Sequence, residues 1–165
     1  MPAPPEILRR LFARPQHGGW AYGLGAFVVF GAFAAAFGLA SGLYTWSPTL
    51  DGLWKTALIA IVLPALGEEL VFRGPLLAVS EQTAKLAAGP LLALFVLWHP
   101  LNAALFLPEA RELFYDLRFL ANAAALGAAC TYATLRARSL WPAIALHWAA
   151  VVAWKGLFGG PAFFG

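Results

Sequence analysis

Two adjacent carboxylates and a guanidinium lie in the stretch GEELVFRGP, from Gly67 to Pro75, directly after the apolar run ALIAIVLPAL. Glu69 and Arg73 are four residues apart, so on a helix they are neighbours and can form an ion pair. Glu68 lies about 100° around the helix from Glu69 and is left without that partner. A carboxylate in this position can exchange a proton, as a general base must.

Two histidines lie in other apolar stretches, His99 in FVLWHPLN and His147 in ALHWAA. Either histidine alone would suit a packing role. Ionisable side chains inside a membrane span are rare, however, and commonly mark a functional site. Together with the paired glutamates, the two imidazoles predict a catalytic centre assembled from three separate helices.

The composition predicts a membrane protein built from helices. Of the 165 residues, 61% are hydrophobic and 12% are charged, which is about half the charged fraction of an average soluble domain. A bilayer core needs roughly 20 apolar residues per helix, and the chain has uncharged runs such as 18–50 and 119–135. Because a spanning backbone must satisfy its own hydrogen bonds, we predict an all-α polytopic bundle of about five transmembrane helices.

Turn-forming and charged segments divide the chain into helices at about 19–44, 53–78, 86–107, 119–135 and 140–158. This predicts a single membrane domain over residues 1–165, with a basic N-terminal segment at 1–18, a first span at 19–44 and a four-helix core at 53–158. The first span is expected to be retained, because its uncharged run is too long for the core of a signal peptide.

Basic residues near the helix ends indicate an orientation. Six lysines and arginines would lie on the cytoplasmic side if the N-terminus is cytoplasmic, and four on the other side, which favours a cytoplasmic N-terminus. Counting ~1.5 Å per residue from the cytoplasmic helix ends places Glu68, His147 and His99 roughly 14, 10 and 20 Å into the membrane. We expect a site that opens toward the cytoplasmic half of a bacterial inner membrane.

The motifs Glu-Glu-x-x-x-Arg at 68–73, Phe-x-x-x-His at 95–99 and the later His147 resemble those of a known family. It is the CAAX prenyl protease and bacteriocin-processing family, also called CPBP or Abi, whose members are glutamic intramembrane proteases. The resemblance covers residues 53–155 or so, the catalytic core of four helices, and leaves the first span as an addition. It implies a membrane-embedded peptidase.

The resemblance also implies a role for each motif residue. Glu68 would activate a water for attack on the scissile carbonyl, with help from His99. Glu69 and Arg73 would be the neighbouring acid and its electrostatic support. His147 would stabilise the oxyanion of the tetrahedral intermediate, because a fixed donor in a dry site stabilises developing charge most.

The chain departs from the family pattern at one position. The third family motif is usually His-x-x-x-Asn or His-x-x-x-Asp, whereas the fourth residue after His147 is Val151. An aliphatic side chain cannot donate a hydrogen bond, so either another group serves or the protein is weakened or inactive. Asn102, three residues after His99, is the first candidate for this auxiliary role, and Asn122 is the second.

Other functions stay open on the sequence alone. The charged cluster can be a structural ion pair between helices, and the chain can be a non-catalytic scaffold or immunity-type protein that retains the fold. A metal-dependent protease is a further alternative, although the zinc signature His-Glu-x-x-His is absent, and we expect no metal and no cofactor. The expected partners are the lipid bilayer and a protein or peptide substrate, with no nucleic acid, and the oligomeric state stays open.

Overall fold

The computed structural model describes residues 9–161, and the regular secondary structure in this part of the chain is helical apart from an isolated bridge between Ser47 and Phe158. Residues 1–8 of the predicted N-terminal segment and residues 162–165 lie outside the described residues. The all-α prediction is confirmed. The α-helices are α1 (Gly19–Ala40), α2 (Leu53–Ala60), α3 (Gly67–Phe72), α4 (Gly74–Ala78), α5 (Glu81–Leu105), α6 (Arg111–Phe114), α7 (Leu117–Ala137) and α8 (Trp141–Leu157).

The predicted single helix over 53–78 is broken in two places. A π-helical stretch, Ile61–Leu66, follows α2, and within it Leu63 has the extended angles φ −127° and ψ 112°. A residue before proline is disfavoured in the helical region, and Pro64 follows Leu63. The second break is at Arg73, where α4 begins with a proline in its first turn. These breaks leave α3 as a separate helix of six residues.

Helix α5 begins five residues before the predicted start at 86. The segment SEQTAK, which reads as a breaker because of its polar composition, is the first turn of this helix. The Ser80 hydroxyl accepts a hydrogen bond from the Thr83 backbone N–H at 3.3 Å, as an N-cap residue does. The helix is therefore 25 residues long and ends at Leu105.

Two helices in the described part of the chain, α1 and α5, are long and apolar enough to cross a membrane. Their outward faces are strongly hydrophobic, with Val29 of α1 exposed by 72% and Leu97 of α5 by 61%. Exposed apolar surface on this scale suits contact with lipid. The remaining spans of the predicted five stay a prediction.

Helix α1 packs against α7 and α8 through small residues. A Cβ added at Gly23 would lie 2.7 Å from the Pro142 Cβ, and one at Gly19 would lie 3.1 Å from the Ala137 Cβ. Small residues let membrane helices approach closely. The first span is thus packed into the bundle rather than attached to its edge.

The two ends of the bundle are joined by different segments. At the end that carries residues 9–18, the Gln16 N–H donates to the Ala137 carbonyl at 2.9 Å. At the opposite end, here called the far end (residues 41–52, 106–116 and 158–161), the Ser47 N–H donates to the Leu157 carbonyl at 2.9 Å. The Arg118 guanidinium there donates to Ser41, and its hydrogen bonds to Asp116 hold the pKa of that carboxyl below its usual value.

We expect Gly23→Ala to destabilise the protein and Gly25→Ala to leave it unchanged or slightly more stable. The added methyl at Gly23 would overlap Pro142, whereas a Cβ at Gly25 meets nothing within 4 Å. Overpacking costs about 1–3 kcal/mol, and alanine is the better helix former. Thermal unfolding of the two purified variants in the same detergent measures this difference, and equal melting temperatures would contradict the proposed packing.

Candidate active site

Glu69 is the centre of a buried polar cluster. Its Oε1 accepts hydrogen bonds from His147 Nδ1 at 2.8 Å and from Arg73 Nη1 at 3.3 Å. The three side chains are at most 3% exposed. An ionised carboxylate only accepts hydrogen bonds, so His147 carries a proton on Nδ1. The ring orientation is thereby fixed, and Nε2 points toward Glu68, whose Oε2 lies 3.8 Å away.

Arg73 joins this cluster to helix α7. Its Nη2 donates to the Gly127 carbonyl at 3.0 Å, and its Nε lies 3.5 Å from the Thr131 hydroxyl. The guanidinium carbon lies 4.1 Å from the centroid of the Phe95 ring. A Cβ at Gly127 would come within 2.8 Å of Nη2, so the absence of a side chain there makes room for the cation. The predicted ion pair with Glu69 is present, whereas the contacts with α7 have no signal in the stretch AALGAACT.

His99 is held by aromatic rings and by its own helix. Its Nδ1 donates to the Phe95 carbonyl at 3.0 Å, because a carbonyl oxygen can only accept, and Nε2 is left as an acceptor. The centroids of the Phe95, Phe119 and Phe114 rings lie 5.1, 5.2 and 5.3 Å from that of the imidazole. Phe95 also contacts His147 at 6.1 Å between centroids, so this phenylalanine separates and orients the two histidines.

A cavity of about 920 Å³ borders the cluster. Its lining includes Glu68, His99 and His147 together with many apolar side chains. Glu68 is 17% exposed, whereas Glu69 is fully buried, so Glu68 is the carboxylate of the pair that faces the cavity. A volume near 1,000 Å³ is typical of the largest small-molecule pockets and is sufficient for an extended segment of peptide.

The cavity extends to the far end of the bundle, where Phe106, Glu109 and Lys155 contribute to its lining. Residues 9–18 lie at the other end. With a cytoplasmic N-terminus, the part of the cavity at the far end would face away from the cytoplasm, whereas the sequence predicts a site that opens toward the cytoplasmic half. The physical reason is the position of His99, which lies six residues from the far end of α5 and eighteen from its start.

Glu69, Cys130 and His147 place possible metal-ligand atoms within 4.8 Å of one another. Glu69 bonds through Oε1 to both His147 and Arg73 and has no partner at Oε2 among the described residues, and the Cys130 thiol lies 3.7 Å from the Ala143 carbonyl. A metal ion here would be repelled by the guanidinium that shares the same oxygen. The donor set thus suits a charge-paired hydrogen-bond network better than a metal site.

The fold and the site define the class of the protein, which is an all-helical, membrane-compatible bundle with a buried glutamate–histidine–arginine cluster beside a large cavity. A family model described as type II CAAX prenyl endopeptidase, Rce1-like, matches residues 50–153. The chain belongs to this family of membrane-embedded proteases, which confirms the resemblance inferred from the motifs. Comparisons with curated proteins and with solved structures find no match.

Some of the predicted site residues contact one another directly, and others share only the cavity. Glu68, Glu69, Arg73 and His147 are linked by contacts of 3.8 Å or less, whereas His99 joins them through Phe95 and the shared cavity. Asn102, Asn122 and Val151 line the same cavity. Gly127 and Thr131 are contributors that the sequence did not indicate.

We expect Arg73→Met to destabilise the protein strongly, because it leaves Glu69 buried without its cation. Breaking a buried ion pair on one side costs about 3–5 kcal/mol. Adding Glu69→Gln to this variant is expected to recover part of the loss, since the uncompensated charge is then removed. Melting temperatures in detergent test both statements, with Arg111→Met on the exposed surface as the control. An Arg73→Met variant as stable as Arg111→Met would contradict the role assigned to the Glu69–Arg73 ion pair.

Proposed function

We propose that this protein is an intramembrane endopeptidase of the glutamic type, which hydrolyses a peptide bond with a water activated by Glu68. Membership of a protease family supports peptidase activity. The observation that supports the glutamic mechanism is that the two adjacent carboxylates have different surroundings. Glu69 is buried and accepts hydrogen bonds at Oε1 from His147 and Arg73, whereas Glu68 faces the cavity with its Oε2 at 3.8 Å from His147 Nε2.

In the proposed reaction, Glu68 takes a proton from a water molecule while the water oxygen bonds to the scissile carbonyl carbon. The π electron pair of the carbonyl moves to its oxygen and forms an oxyanion. When this intermediate collapses, the carbon–nitrogen bond breaks and Glu68 passes its proton to the departing amine. The products are a new carboxyl terminus and a new amino terminus.

Glu69 and Arg73 would act on this reaction through His147. The hydrogen bond from Nδ1 to Glu69 fixes the imidazole, as the acid of a catalytic triad does. In its protonated form, His147 can donate from Nε2 to the oxyanion. Arg73 holds Glu69 in place. His99, whose Nδ1 is engaged with its own helix, would accept from the attacking water at Nε2 and orient it.

The proposed substrate is a protein or peptide that reaches the cavity as an unwound or terminal segment. A peptide bond inside a stable helix is shielded by its backbone hydrogen bonds, so the segment must be extended at the site. The mostly apolar lining suits a membrane-associated segment, and the family description refers to prenylated CAAX substrates.

We also propose that the N-terminus is cytoplasmic and that the membrane is a bacterial inner membrane, so that the far end lies outside the cytoplasm. Single cysteines at Glu81 and Glu109, in a Cys130→Ala background, test this orientation. A membrane-impermeant maleimide added to intact cells should label Glu109→Cys and should label Glu81→Cys only after permeabilisation. The reverse pattern would place the cavity on the cytoplasmic side.

We expect Glu68→Gln to abolish peptide cleavage, because glutamine cannot take the proton from water. Loss of a general base typically lowers the rate by about 10²–10⁴-fold. The test incubates reconstituted wild-type and variant protein with the host membrane proteome and maps new peptide ends. Glu81→Gln, on the exposed surface at the start of α5, is the matched control and should keep wild-type cleavage. Cleavage by Glu68→Gln at the wild-type rate would refute the glutamic mechanism.

A non-catalytic scaffold or immunity-type protein is the second candidate, and Val151 is the observation that favours it. This aliphatic residue lines the cavity at the position where the family motif usually carries Asn or Asp. Full biological activity of a folded Glu68→Gln variant, without new peptide ends from the wild type, would favour this candidate over the peptidase.

A further inference from the structure

Asn122 of helix α7 is a buried amide without a hydrogen-bond partner among residues 9–161. Its side chain is 5% exposed, and neither Nδ2 nor Oδ1 has a partner in this part of the chain. A buried donor or acceptor left unpaired costs about 1–3 kcal/mol, so an amide in this state requires a reason. Asn122 also lines the cavity that borders Glu68, His99 and His147, which indicates that its partner is a molecule bound there.

The position of Asn122 along α7 is fixed by two contacts with the site. One turn before it, the Phe119 ring packs against the His99 imidazole at 5.2 Å. Five residues after it, the Gly127 carbonyl accepts from Arg73, a displacement of roughly 7.5 Å along the helix. Asn122 therefore lies between the two points at which α7 is held against the cluster, on the face that borders the cavity.

Across the same cavity, the expected hydrogen-bond donor of α8 is missing. Val151 lies one turn after His147 and lines the cavity with an aliphatic side chain. The bound state of a peptide needs a donor for its carbonyl oxygen, especially when that oxygen becomes an oxyanion. An unpartnered amide on the neighbouring helix is able to supply it.

We propose that Asn122 is a catalytic residue whose Nδ2–H donates to the scissile carbonyl oxygen and to the oxyanion that forms from it. Asn122 thereby supplies from α7 the hydrogen bond that Val151 cannot supply from α8. This inference rests on the proposed peptidase function. The Oδ1 atom of the same amide accepts from a backbone N–H of the bound peptide, so both unpaired groups gain partners when the substrate enters.

Asn102 is the alternative donor and provides a matched comparison. It lines the same cavity, but it is only partly buried and lies near the end of α5. Its amide is not among the buried groups without a partner. A donor that is already partly accessible to solvent stabilises an oxyanion less than one in a dry site, so Asn102→Leu should reduce kcat less than Asn122→Leu.

The test compares Asn122→Leu, Asn102→Leu and wild type, reconstituted in liposomes, with a fluorogenic farnesylated peptide ending in Cys-Val-Leu-Ser. We expect Asn122→Leu to lower kcat by about 10²–10³-fold and to raise KM by a smaller factor, because the amide also contacts the bound substrate. The melting temperature should stay equal or rise, since the amide has no protein partner to lose. A structural role would instead lower the melting temperature and leave kcat per folded molecule near that of the wild type, which would overturn the inference.

A second-site variant sharpens the assignment. Introducing Val151→Asn into the Asn122→Leu protein returns a donor to α8 and should raise kcat at least tenfold. Failure of this double variant to regain activity, in protein that is folded and inserted, would overturn the proposed exchange of donor between the two helices.

A binding measurement separates this inference from the proposed function. A phosphinic analogue of the same peptide carries oxygens in the place of the oxyanion and cannot be hydrolysed. In the Glu68→Gln background, adding Asn122→Leu should weaken its binding at least tenfold. If wild type cleaves no peptide, the peptidase function fails, and equal affinity for the analogue with and without Asn122 would overturn the present inference independently.

Discussion

The burial of Glu69 and Arg73 is the constraint on which the rest of the structure depends. A charge in a low-dielectric interior is tolerated only when it is paired and its remaining hydrogen-bonding groups are satisfied. Arg73 meets this requirement with Glu69, the Gly127 carbonyl and Thr131. Glu69 meets it at Oε1, which accepts from Arg73 and His147, whereas its Oε2 has no hydrogen-bond partner among the described residues. The pair thus joins α3 to both α7 and α8, and the site lies where these three helices meet.

The need to pair a buried charge also explains why two adjacent glutamates are proposed to have different functions. Glu69 gives its Oε1 to two donors, whereas Glu68, one residue earlier, faces the cavity. Both glutamates lie on the short helix α3, which is bounded by the break at Leu63 and by Arg73. Irregular backbone at membrane depth is tolerated where it is buried in protein or lines a cavity, and here Leu63 lines the cavity while Arg73 is buried.

Local signals in the sequence predict much of this arrangement, and the rest depends on tertiary packing. The Glu69–Arg73 pair follows from i, i+4 spacing, and the family follows from motifs within single helices. The sequence does not predict the first turn of α5, because a serine such as Ser80 is compatible with both a loop and a helix N-cap. Gly127 and Asn122 lie on α7, whose rotation toward the cluster is set by contacts with other helices. The sequence favours Asn102 over Asn122 for the auxiliary role, because its spacing from His99 lies within one predicted helix.

Helix α7 connects the buried ion pair to Asn122, the proposed catalytic donor. Arg73 contacts Gly127 of this helix, and the close approach depends on the missing side chain. Since a helix is rigid over five residues, the contact that holds Gly127 also fixes the distance of Asn122 from Glu68 and His147. An asparagine at 151 would be positioned through the bond of His147 to Glu69, whereas a donor at 122 is positioned through the bond of Arg73 to Gly127. Stability of the cluster and geometry of the proposed oxyanion site are therefore coupled in this chain.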